Sequence, residues 1–352
     1  MVARKGRGVG LTIATGLAVL AAVSVAAPTP AHTQTPAEAQ AQRLASLTRD
    51  LAQNPKDAAR LAQRGAIYLQ ERRFDLALQD FNQSLLLDPD NADTLNKRGL
   101  TYARGGNLPA AIRDYSRAIE INAGSANLYI NRGAAFVDQQ QYSRALPDLD
   151  KAIQLQPDSA EAHFARSMIF EATGEYGSAV KDMDAAIRID PNHQDFYLQR
   201  GFIRLEAAEY AASVDDFQRA IVQKPDAPYP PLWLHIARVH AHQDDAQEFA
   251  ANTAKLSATA WPAPIIAFYA GKTSVADARA KAAVGDPAVQ RGQGCEADYY
   301  IGVIQTAGSD TTDKDWAAGK AALEAAASEC PDDFNEKKLA VAALLALSTA
   351  KP

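Results

Sequence analysis

The sequence predicts an all-α protein, a solenoid of stacked helix hairpins, and three columns of residues carry that prediction. Arg64, Arg98, Arg132, Arg166 and Arg200 stand 34 residues apart, and Asp80, Asp114, Asp148, Asp182 and Asp216 keep the same step. A third column is small throughout: Gly65, Gly99, Gly133, Ser167 and Gly201. A fixed step of this size marks supersecondary units that bury their apolar faces only by stacking, which leaves a long surface suited to binding.

The N-terminus comes first in order. Arg4, Lys5 and Arg7 precede an uncharged, mostly apolar run from Val9 to Ala27, so residues 1–31 read as an export signal. The run is also close to the lower length of a membrane span, and an uncleaved anchor fits it as well. A cut after Ala31 would remove those three charges and move the formal net charge from −6 to −9, a balance that argues against a nucleic-acid surface. Residues 32–42, rich in Pro, Thr, Gln and Ala, read as a linker. Leu44, Leu47 and Leu51, followed by Pro55, place a lone capping helix in 43–57.

Residues 58–227 hold five uninterrupted units that start at Ala58, Ala92, Ala126, Ala160 and Gln194. Small residues recur at position 8, at position 20 (Ala77, Ala111, Ala145, Ala179, Ser213) and at position 27 (Ser84, Ala118, Ala152, Ala186, Ala220). Bulky ones fill position 24 with Phe81, Tyr115, Leu149, Met183 and Phe217. Pro89, Pro157, Pro191 and Pro225 close four of the units, because a proline ring does not continue a helix. Small, aromatic and proline residues in this order resemble the tetratricopeptide (TPR) motif over about half the chain. The resemblance implies a right-handed superhelix of hairpins, helix A then helix B, with a concave face. Positions 7 and 23 then lie at one level on antiparallel helices, which predicts a ladder of Arg–Asp ion pairs that specifies register more than it stabilises. An arginine stripe gripping an anionic ligand is the functional alternative.

Beyond Ala227 the strict period ends. Residues 228–294 read as divergent helices: Pro231 to His242, Asp245 to Leu256, then the breaker Trp261-Pro262-Ala263-Pro264, an apolar stretch Ile265 to Tyr269, and Val275 to Ala283. From Cys295 to the end an altered hairpin returns, with Gly302, Gly319, Leu323, Ala326 and Pro331 at repeat positions and a short insertion near Ser309 to Lys314. A helix over Asn335 to Ser348 covers the open end. The run from Trp261 to Gly271, with Tyr299-Tyr300-Ile301-Gly302 downstream, resembles bacterial outer-membrane TPR lipoproteins of the NlpI type. That resemblance implies a non-catalytic adaptor at the cell envelope, although no cysteine here precedes Cys295 to carry a lipid. Cys295 and Cys330 fall at adjoining ends of the altered hairpin, so an oxidising compartment predicts a disulfide, with two free thiols as the alternative.

No chemistry-bearing constellation emerges. Gly271-Lys272-Thr273 lacks the first glycine of a phosphate loop, since Ile266 stands there. His235, His240, His242 and Asp244 offer only one i, i+4 pair, and the three histidines read as ordinary surface histidines. Neither a nucleophile–base set nor a metal or cofactor site is indicated, and the chain reads as no enzyme. The binding surface follows from the TPR resemblance, which turns positions 2, 5, 9 and 12 of helix A toward the groove. The partner-binding residues are then Ile130, Val137, Phe164, Met168, Leu198, Phe202 and Leu205, with Lys97, Arg104 and Asn131 at the upper end and Glu161, Glu171, Asp195 and Glu206 lower down. Exposed apolar side chains in a concave face suit a peptide or helix. The same residues would equally suit packing against the C-terminal segment. The carboxylate clamp of TPR cochaperones is missing, with Ala62 and Ala66 at its first sites. The function expected is a protein-interaction scaffold of the bacterial periplasm or envelope. The alternatives are an inner-membrane-anchored assembly factor and an accessory that binds peptidoglycan fragments.

Overall fold

In the computed structural model, which describes residues 35–307, 312–331 and 334–349, the described residues form helices and no strand. The predicted leader and the start of the linker lie outside them, as does half of the predicted insertion. The first helix, α1, runs Pro36–Gln53. It corrects the sequence reading, which left 36–42 as linker. Thr35 and Glu38 form a reciprocal capping box and Pro36 opens the first turn, so the helix starts where its caps are and not where its leucines begin.

Ten helices then alternate in five hairpins: α2 (Ala58–Gln70) with α3 (Phe74–Leu87), α4 (Ala92–Arg104) with α5 (Leu108–Ile121), α6 (Ala126–Asp138) with α7 (Tyr142–Leu155), α8 (Ala160–Ala172) with α9 (Tyr176–Ile189), and α10 (Gln194–Glu206) with α11 (Tyr210–Gln223). Close approach at position 8 fixes each hairpin. A Cβ added at Gly99 would lie 2.7 Å from the Tyr115 ring. Repeat four tolerates Ser167 because its opposite number is the flexible Met183. The turn between the two helices is equally regular: Arg72, Gly106, Gln140, Gly174 and Ala208, one per repeat, all take positive φ.

That turn recurs once more at His242, 34 residues after Ala208, where φ is again positive. The repeat backbone therefore continues into α12 (Pro230–His240) after its side-chain signature has faded. Four further helices, α13 (Ala246–Thr253), α14 (Ala263–Tyr269), α15 (Val275–Ala282) and α16 (Pro287–Ala307), lead to the closing pair α17 (Asp313–Glu329) and α18 (Asn335–Thr349). α16 begins well before Cys295, where the sequence reading had started it, because Pro287 supplies an N-terminal turn. Gly302 lies against Leu323 and Gly319, so the altered hairpin reuses the close contact of the regular ones.

Cys295, inside α16, is joined to Cys330 at the end of α17, with Cα atoms 5.1 Å apart. Around this bridge lies the largest buried cluster among the described residues, in which Trp233, Ile265, Tyr299, Tyr300 and Leu323 are buried together. Among the described residues no helix is long and apolar enough to cross a membrane.

Candidate functional site

The ion-pair columns are consumed by structure. In each of the first four repeats the arginine Nε and Nη2 donate to both carboxylate oxygens of the aspartate 16 residues on, every distance 2.7 Å. Arg200 meets Asp216 mainly through one oxygen, which accepts from Nη2 at 2.5 Å and Nε at 3.0 Å, while the other oxygen accepts from Arg204 at 2.7 Å and from Arg200 Nε at 3.2 Å. The remaining nitrogen, Nη1, reaches back to the preceding repeat: Arg98 to Asn82 at 2.9 Å, Arg132 to Ser116 at 3.1 Å, Arg166 to Asp150 at 2.7 Å and Arg200 to Asp184 at 2.6 Å. From the second repeat on, each guanidinium thus joins two residues, one in its own repeat and one in the repeat before. Burial raises the Asp182 carboxyl, but Arg166 and His163 outweigh it and hold the group below its ordinary range. At Asp216 burial prevails over both arginines and the carboxyl is pushed up.

The concave face is built by the A helices, and the structure divides it in two. In the upper part, Asn131 donates to Asn96 at 2.8 Å, Lys97 pairs with Asp93 one turn before it, and Arg104 is exposed at the end of α4. Ile130 and Val137 are half-buried, each leaning on the packing between neighbouring repeats. Phe164 lies 5.5 Å from Phe196 in a cleft of about 470 Å³ that Glu161, His193 and Asp195 also line. Met168 keeps 37% of its surface exposed.

The lower part is covered by the chain itself. Phe202 and Leu205, read from the sequence as groove contacts, retain only 8% and 6% exposure. Phe202 meets the edge of Trp233 at 5.0 Å and Phe217 at 5.5 Å, and Leu198 borders the same cluster. The cause is the C-terminal part, which folds back onto α10. Its last helix, α18, brings Lys338 to Glu171 at 3.3 Å and takes a hydrogen bond from the Tyr300 hydroxyl on Glu336 at 3.1 Å. Burial pushes the Glu336 carboxyl up to about 7. Two of the histidines near 240 serve structure: His235 bonds Asp245 at 2.9 Å and His240 stacks on Tyr210 at 4.5 Å, while His242 is exposed. Burial lowers His240 to about 4, so it differs from the surface histidine the sequence suggested.

Sequence reasoning passed over the pairing of Glu171 with Glu206. The two come together at the ends of α8 and α10, beside Tyr142, Tyr176 and Tyr210, which open their B helices one repeat apart. Their spacing of 35 residues was the available sign.

Two models of the tetratricopeptide repeat match the sequence, one over residues 64–128 and one over 130–194. Among solved structures, a tetratricopeptide repeat protein from Parabacteroides merdae ATCC 43184 is 17% identical, with 66% of this chain and 91% of that one covered and a TM-score of 0.50. MamA is 24% identical over 47% of this chain and 91% of its own, with a TM-score of 0.43. YrrB, described as a TPR protein with an unusual peptide-binding site, is 22% identical over 56% and 97%, also at 0.43. A search of curated proteins found no match to the sequence.

Proposed function

We propose that this chain, a solenoid carrying tetratricopeptide repeats, is a non-catalytic scaffold of the bacterial cell envelope that holds a peptide or helix of a partner protein in the upper part of its concave face. One observation carries the reading. The groove positions of repeats three and four keep apolar side chains at an open surface, with Met168 at 37% exposure and Phe164 in an accessible cleft, while the equivalent residues of repeat five are covered. A row of apolar side chains in a concave wall of fixed curvature favours an amphipathic helix or extended peptide over a small molecule.

The envelope compartment is supported by chemistry at both ends. The leader-like residues 1–31 suit export, and the Cys295–Cys330 bridge suits an oxidising environment. The likeness of residues 261–302 to NlpI-type adaptors points the same way. Phe164→Asp combined with Met168→Asp tests the site. Both side chains reach the groove, so helicity should persist while capture of a partner from native envelope extract falls at least about tenfold, the loss of two apolar anchors. Capture equal to that of the unaltered chain would place the site elsewhere.

A further inference from the structure

We propose that the cleft between the carboxy ends of α8 and α10 and the C-terminal helix α18 seats a lysine or arginine side chain of the partner polypeptide, with Glu206 as its counter-ion. The inference rests on the concave face being a polypeptide-binding surface and adds what that polypeptide must carry.

The cleft has a volume of about 840 Å³, and its walls include Tyr142, Tyr176 and Tyr210. Tyrosine faces attract cations, arginine above all. The acids at its base are placed where packing alone would not put them. Glu171 lies in the last turn of α8 and Glu206 ends α10. Unpaired carbonyls make a helix C-terminus negative, so a carboxylate there is unfavourable, and two neighbouring ones are more so. Glu171 is nonetheless only 7% exposed. Breaks of such local rules are expected at functional sites.

The chain shows the chemistry the cleft accepts. Lys338 of α18 places its ammonium 3.3 Å from Glu171, across 167 residues of sequence, while the Gln199 amide donates to the other oxygen of the same carboxylate. Glu206 is left without a full countercharge. Burial first, and the neighbouring Glu171 second, push its carboxyl up to about 8, against the smaller opposing effect of Lys338. A second cation in the cleft would ionise it.

Besides Tyr142 on α7, the other titratable groups that line the cleft with Glu206 come from six elements. They are Glu171 on α8, Tyr176 on α9, Tyr210 on α11, His240 on α12, Tyr299 on α16, and Lys337 and Lys338 on α18. Burial raises Tyr176, Tyr210 and Tyr299 and holds His240 at about 4, which leaves Glu206 as the cleft group that responds between pH 6 and 9. Glu336, at about 7, lies against Tyr300, and the Glu206→Gln variant separates the two.

The test uses the full chain and a blocked amphipathic peptide of alanine, leucine and glutamine with one central arginine, beside its citrulline twin. Both are titrated calorimetrically from pH 6 to 9 in buffers of different ionisation enthalpy. The arginine peptide should bind about tenfold tighter at pH 8, fall to near parity at pH 6, and release protons at pH 7 where its twin does not. Glu206→Gln should erase the difference while leaving citrulline-peptide binding intact. If both peptides bind with one affinity at every pH, the cation site is refuted and the groove reading stands. If neither binds, both are refuted.

Discussion

Replacing Asp148 by alanine tests the ladder at its centre. Arg132 gives two hydrogen bonds of 2.7 Å to this carboxylate, and the two side chains are 21% and 9% exposed. Removing one partner of a buried pair costs about 3–5 kcal/mol, since the other charge is left without compensation. A fifth of the Arg132 side chain reaches solvent, which puts the expected loss at the low end, about 3 kcal/mol. Replacing both partners by apolar residues of similar size, Arg132→Met with Asp148→Leu, removes the uncompensated charge and should restore stability to within about 1 kcal/mol of the parent. Urea unfolding followed by circular dichroism gives all three free energies. If Asp148→Ala costs under about 1 kcal/mol, or if the double replacement is as costly as the single one, the account of the ladder as a register device of small net stability is wrong.

Two further predictions concern the C-terminal part. Replacing both Cys295 and Cys330 with serine opens a loop between residues 35 apart and should lower stability by about 4 kcal/mol on the chain-entropy account, read as a drop in melting temperature that reductant no longer deepens. Identical melting of the two proteins under oxidising conditions would contradict it. Glu336 holds its proton to about pH 7 in the folded state, whereas an unfolded glutamate releases it near 4.5. The folded chain therefore binds more protons in that window, and stability falls as pH rises through it. Glu206, at about 8, declines over the same range, so between pH 6.5 and 8 Glu336→Gln should make the parent's decline shallower by about 1 kcal/mol and leave the share of Glu206 in place. A pH profile with the same slope as the parent would argue against the assignment.

The hairpins were legible because their contacts are local and repeated. Gly99 against Tyr115 and Arg98 against Asp114 recur at one step, so any single copy can be read from the others. The start of α1 was legible too, through Thr35 and Glu38, but composition drew attention away from the caps. The recurrence of the turn at His242 left no side-chain trace, because a positive φ can be held by many residues once neighbouring helices fix the backbone. What covers Phe202 and Leu205 is another matter. Their burial depends on Trp233 and on a helix more than a hundred residues downstream, and periodicity carries no information about where a tail folds. The Glu171–Glu206 pair sits between these cases. Its residues lie one position out of register, 35 apart where the step is 34, and the meaning of the pair appears only when α18 is seen to bring Lys338 against it.

The backward reach of each guanidinium has a consequence for how such a molecule can change length. Arg132 finds Ser116, Arg166 finds Asp150, and Arg200 finds Asp184, always the residue 16 before it. All three acceptors are short and polar, and any of them would satisfy any of the arginines. Excising one whole module would leave a junction already furnished with a donor and an acceptor at the proper distance, and duplicating one would do the same. Growth and shrinkage by complete modules is thus chemically smooth, while a cut at any other length would strand a charge at the seam.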